Sequence, residues 1–159
     1  MLDVIFAIKF LHVLAAAALF GTWLCLACFM VLAHRSGNTS VVALTSQFVV
    51  SIEKIIMIAA IAVLPLSGFP LASAIGLSPF AELWIDLSLV LYVVIAACWI
   101  GAVRLEMRIR GLARHAALNA VPLSDAYRQL FRRWCLLVGP ILLGTGIVIA
   151  LMIWQPRFE

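Results

Sequence analysis

Residues 4–33 hold a single charged side chain, and residues 55–80 hold none. Runs of this length leave few options. The hydrocarbon core of a bilayer takes about 20 apolar residues as a helix. In lipid the backbone must satisfy its own hydrogen bonds, which a helix does within one segment. Two further apolar stretches, 82–103 and 134–154, complete a set of four. The reading is therefore all-α: a four-transmembrane-helix bundle, with spans at about 4–33, 52–74, 82–103 and 134–154 in one integral membrane domain. Four spans and their connections use up the 159 residues, so no separate soluble domain is expected. Composition agrees: 66% of the residues are hydrophobic and 11% charged, against about 25% charged in soluble domains, and the mean hydropathy is +1.19.

The first apolar run exceeds the bilayer thickness, which tilt or a protruding turn absorbs. Gly37 and Asn38 stop it, and Thr39 or Ser40 is placed to cap the next helix. The second span contains Pro65, Gly68 and Pro70 in its latter half, which predicts a bend there or an end near Ser67. Residues 41–51 are expected as helical turns leading into it. A short turn at Gly76 to Pro79 leads to the third span, whose Trp84 suits an aromatic belt at headgroup depth. The first part of the polar segment 104–133 continues the third helix, and Ser124-Asp125 reads as a cap leading into the fourth. Asp3 replaces the basic start of a signal peptide, and the first apolar run is too long for one, so the first span is expected to stay.

Basic residues set the orientation. Arg35, Lys54, Arg104, Arg108, Arg110, Arg114, Arg128, Arg132 and Arg133 fall on one side, nine of the eleven in the chain, leaving Lys9 and Arg157 opposite. Cytoplasmic loops carry the excess of Lys and Arg. Both termini are then outside, N-out/C-out, with an arginine-rich cytoplasmic loop between helices 3 and 4. The expected location is a bacterial inner membrane, in multi-pass form. The seven arginines of that loop are expected to meet anionic lipid headgroups, each worth about 1 kcal/mol. The net charge of +4 is thereby explained without nucleic acid.

Ionisable groups inside a membrane are costly and mark candidate sites. Lys9 and His12 stand one turn apart on the first span, and Asp86 enters from the third at a comparable depth, where it can pair with Lys9. At about 100° per residue, Ala16, Leu19, Trp23, Met30 and His34 follow the His12 meridian, giving a small-to-large stripe that a flat macrocycle could face. Three readings stay open for Lys9, His12, Asp86 and Trp23: a polar cluster that fixes helix packing, haem or copper ligation through His12, and proton or ion transfer. His34 and His115 are expected to be solvated or interfacial.

Cys25 and Cys28 lie on the opposite side of the first helix from His12. Thiolates suit copper or zinc, but small buried hydrophobes are the commoner use of membrane cysteines. No Walker, G-x-S-x-G, H-E-x-x-H or dinucleotide-binding pattern is present. Three histidines exclude a dihaem protein with four histidine ligands in one chain.

The opening Lys9-Phe10-Leu11-His12-Val13-Leu14-Ala15, with a tryptophan entering the third span and a glycine-rich last span, resembles DUF2269, a family of predicted four-span bacterial integral membrane proteins. More distantly it is similar to the copper resistance protein D domain and to HemJ-type membrane proteins, where a first-span histidine is associated with haem b. The resemblance implies a haem-ligand role for His12 alone. It leads to the expectation of a small membrane protein binding haem b, or alternatively copper, in a redox role, with pairing of two chains as a homo-oligomer able to supply a second histidine. A small transporter, permeation subunit or scaffold built on a Lys-His-Asp cluster is the other expectation.

Overall fold

The computed structural model describes residues 2–74, 76–77 and 82–156. Four helices carry them: α1 (Leu2–Ser36), α2 (Thr39–Ala74), α3 (Leu83–Leu118) and α4 (Asp125–Trp154). Each is long and apolar enough to cross a bilayer, as the four uncharged runs require. Arg157, like residues 78–81 of the predicted turn, lies outside the described residues.

Local chemistry sets the ends. Gly37 turns the chain out of α1 with φ +65°, a left-handed conformation that costs glycine little. Asn38, rather than Thr39 or Ser40, caps α2: its side-chain oxygen accepts from the Ser40 and Val41 N–H groups at 2.9 and 3.3 Å. Ser124 caps α4 as expected, accepting from Tyr127 N.

α2 starts at Thr39, and residues 41–51 form one unbroken helix with the span, as expected. Of the two outcomes expected at the prolines, the early end near Ser67 does not occur: α2 runs through Pro65 and Pro70 to Ala74, where the 52–74 span ends. Within it, Glu53–Met57 is a π-helical turn, a widening often found at functional sites. The arginine-bearing segment is largely helical. Arg104, Arg108, Arg110 and Arg114 lie on the last turns of α3, and Arg128, Arg132 and Arg133 on the first of α4, leaving 119–124 as the connection.

The bundle is asymmetric along its length. The Thr39–Ile52 part of α2 packs on α3, the Ile58–Ala74 part on α1, and α3 packs along α4. At the arginine end all four helices therefore close around a core that includes Met30, Val42, Ile109, Tyr127 and Phe131. Towards the opposite end the two pairs separate, since the Ile58–Ala74 part of α2 approaches α3 at few places. Phe6, Phe10, Phe29, Phe48, Leu66 and Leu136 point outward, as lipid-facing side chains should. Trp154 stands 82% exposed at the far end of α4, whereas Trp84 is 6% exposed. Trp84 thus belongs to the bundle interior and not to an aromatic belt.

Candidate functional site

Where the helix pairs separate they enclose a cavity of about 630 Å³, lined by residues of all four helices. This lies within the roughly 300–1,000 Å³ of small-molecule sites. Lys9, His12, Ala16, Leu19 and Trp23 all line it, so the stripe read from the helical wheel faces one space. Met30 lies further down the same face, in the packed core.

His12 is held by α2. Its Nδ1 is 2.9 Å from the Ser67 hydroxyl, which itself donates to the Val63 carbonyl at 2.6 Å. A serine hydroxyl has one proton. A hydroxyl committed to Val63 can accept from His12, and the tautomer with its hydrogen on Nδ1 then leaves a lone pair on Nε2. Gly68 permits the approach: a Cβ there would sit 3.2 Å from His12 Cε1. Serine and glycine, adjacent on one helix, together fix the ring.

The wall beside it is held by a second polar contact. Proline at position 65 has no N–H, so the Ile61 carbonyl loses its helical partner. The Tyr92 hydroxyl of α3 donates to that carbonyl at 2.5 Å. Tyr92 and Ile61 both line the cavity.

Asp86 departs from expectation. It does not line the cavity, and no ion pair joins it to Lys9: the one salt bridge among the described residues is Arg128 to Asp125. Asp86 sits in the first turn of α3, where a negative charge is favoured by the helix dipole, and Lys9 is exposed. Similar depth did not bring the two side chains to the same azimuth. Cys25 and Cys28 are free and exposed on the outside of α1, away from the cavity. Among the described residues no three His, Cys, Asp or Glu side chains gather as a metal site would need.

Sequence reasoning missed two carboxyl groups. Glu53 and Glu106, which sit beside basic residues and look like interfacial charges, are 4% and 2% exposed. At 1.5 Å per residue, they and Trp23 lie about 20 Å from the arginine-side ends of their helices. The Trp134 indole donates to Glu106 Oε1 at 2.6 Å. The Glu53 carboxyl lines the same small space as Glu106, Trp23 and Trp99. A helical wheel through α3 would have revealed Glu106, because it falls in register with buried Ala102, Ile109 and Ala113. Trp23 and Trp99 line both the cavity and the small space around the two carboxyls, so they form a floor between the two.

Beyond that floor aromatic rings pack against one another at the arginine end. His34 lies 4.0 Å from Phe131, and Phe131 lies 5.5 Å from Trp134, between ring centroids. His34 Nδ1 is also 3.3 Å from the Tyr127 hydroxyl. His34 is thus half-buried and stacked, not solvated, while His115 is exposed.

Comparison with curated proteins and with solved structures returns no match. A family model described as a predicted integral membrane protein matches residues 6–156, nearly the whole chain and all four helices. The protein belongs to that family, DUF2269.

Proposed function

We propose that this four-span membrane protein binds a flat, largely apolar macrocycle of the haem b kind in the cavity between its helix pairs, with His12 as the single side-chain ligand. The observation that carries this reading is the 2.9 Å contact between His12 Nδ1 and the Ser67 hydroxyl, beside the cavity that His12 lines. Donation from Nδ1 to Ser67 leaves Nε2 available, the arrangement in which an outer hydrogen bond orients a ligating imidazole. The cavity suits such a guest in size and in its apolar walls, and the Lys9 ammonium at its edge suits an anionic substituent. A bare copper ion suits it less, since the cavity offers one imidazole and copper sites draw on several nitrogen or sulfur ligands.

Bound haem would supply one-electron chemistry. This chain's own residues hold and orient it: Ser67 and Gly68 set the His12 ring, Tyr92 braces the kinked α2, and Trp23 and Trp99 close the cavity floor. Where the group takes two imidazoles, His12 of a second copy would supply the other. The reading places the arginine end in the cytoplasm of a bacterial cell, with the seven arginines against anionic headgroups.

Titration of the detergent-purified protein with haem, followed by tryptophan fluorescence, tests the reading. Trp23, Trp84 and Trp99 border the cavity, so saturable quenching near one equivalent per chain is expected, weakened in His12→Ala. Linear, unsaturable quenching identical in both proteins would refute it.

A second reading, passage of a small apolar solute through a transporter or permeation subunit, draws on the same apolar cavity between the helix pairs. Uptake by proteoliposomes without any bound chromophore would favour it.

A further inference from the structure

Glu53 and Glu106 face each other in the bundle with no basic partner, and they are not part of the His12 site. Among the described residues no lysine or arginine nitrogen lies within 4.0 Å of either carboxyl. The neighbouring Lys54 and Arg104 are exposed. Both carboxyls are buried and line one small void; ionised carboxylates only accept hydrogen bonds, so neither can satisfy the other without a hydrogen between them. Burial without a counter-charge works in the same direction, because two neighbouring carboxylates cannot both stay ionised away from water.

The polar atoms left over point to a small ligand as well. Glu53 Oε2, Glu106 Oε2 and Trp99 Nε1 are buried with no partner. All three residues line a void of about 10 Å³, close to the room one water needs, and a buried water takes two to four polar partners. Two acceptors and one indole donor meet that requirement. A metal cation fits poorly, since the indole N–H groups of Trp134 and Trp99 present positive hydrogens to the same space.

We propose that Glu53 and Glu106 form an intramembrane proton-binding site, sharing one proton with a single water held between their Oε2 atoms and Trp99. The proton comes from water in the cavity and returns there; one O–H bond forms on the carboxyl pair as one breaks on a hydronium, with no change of oxidation state. Exchange passes beside Trp23 and Trp99, the residues that border both spaces, whereas on the arginine side Phe131 and Tyr127 are stacked and buried. No other titratable side chain from α1, α2, α3 or α4 lines the void.

Infrared spectroscopy of the full chain in liposomes, free of haem, tests this directly. The wild type at neutral pH is expected to show the C=O stretch of a protonated carboxyl, shifted in D₂O. The band should move in Glu53→Gln and in Glu106→Gln and vanish in the double variant, with helicity retained. Absence of the band in the wild type overturns the proposal, and that spectrum needs no variant to fold. A band that survives the double variant, or that follows Asp86→Asn, overturns it too. So does loss of the band on equilibration with calcium or sodium, which would make the pair a cation site. Because haem-free protein is used, failure here leaves the His12 reading standing, and failure of that reading leaves this one.

Discussion

The Tyr92 hydroxyl donates to the Ile61 carbonyl at 2.5 Å, and Ile61 is the residue whose helical partner Pro65 cannot supply. One helix's broken hydrogen bond is thus repaired by another helix, at the point where the cavity wall would otherwise expose a bare carbonyl. Tyr92→Phe should destabilise the protein by about 1 kcal/mol, within the range for hydrogen bonds between membrane helices. Restoring the N–H with Pro65→Ala should remove most of that penalty in the double variant. Unfolding in detergent micelles across this four-member cycle measures the coupling, and strictly additive losses would show that the two sites are independent.

The Ser67 hydroxyl has a different task, to hold the His12 proton on Nδ1. Ser67→Ala removes the acceptor while leaving the cavity walls in place. Outer partners of ligating histidines typically contribute about 10- to 100-fold in affinity, and a loss of that order in haem affinity is expected, with little change in helicity. Ser67→Thr, which keeps the hydroxyl, should lie closer to wild type. Equal affinities for the alanine and wild-type proteins would remove Ser67 from the site.

At the arginine end, His34 lies past the apolar run of α1 and stacks on Phe131. Burial, and secondarily the Arg128 guanidinium, hold its imidazolium below the usual histidine range. The unfolded chain, with its histidine near pKa 6.5, then binds the proton more readily than the folded one. The stabilisation is complete above about pH 6.5 and is lost as pH falls towards the lower folded value. Thermal midpoints of the wild type should drop between pH 7 and 5, and His34→Phe should flatten that part of the profile. Parallel profiles for the two proteins would place the acid sensitivity elsewhere.

Much of this architecture is written in the hydropathy pattern, since an uncharged run of bilayer length has few alternatives to a spanning helix. The stripe from His12 through Ala16 and Leu19 to Trp23 is legible for a similar reason: helical periodicity fixes which residues share a face. What a single helix does not fix is the azimuth of its neighbours. Asp86 has the right depth for Lys9 but does not meet it, and Trp84 has the right depth for an aromatic belt but turns inward. Glu53 and Glu106 were hidden by their sequence neighbours, because Lys54 and Arg104 make each region look solvated. Only their register with buried residues such as Met57 and Ile109 marks them as interior. The sequence left two outcomes at Pro65, a bend or an early end, and could not choose between them, as the choice depends on a hydroxyl from α3.

The most direct measurement of the central claim is the visible absorption spectrum of the detergent-purified protein, as isolated and after addition of haem, for the wild type and for His12→Ala. The account predicts a Soret band for the wild type that is lost or shifted in the variant. No Soret band in the wild type under either condition, or an identical band in both proteins, would contradict it.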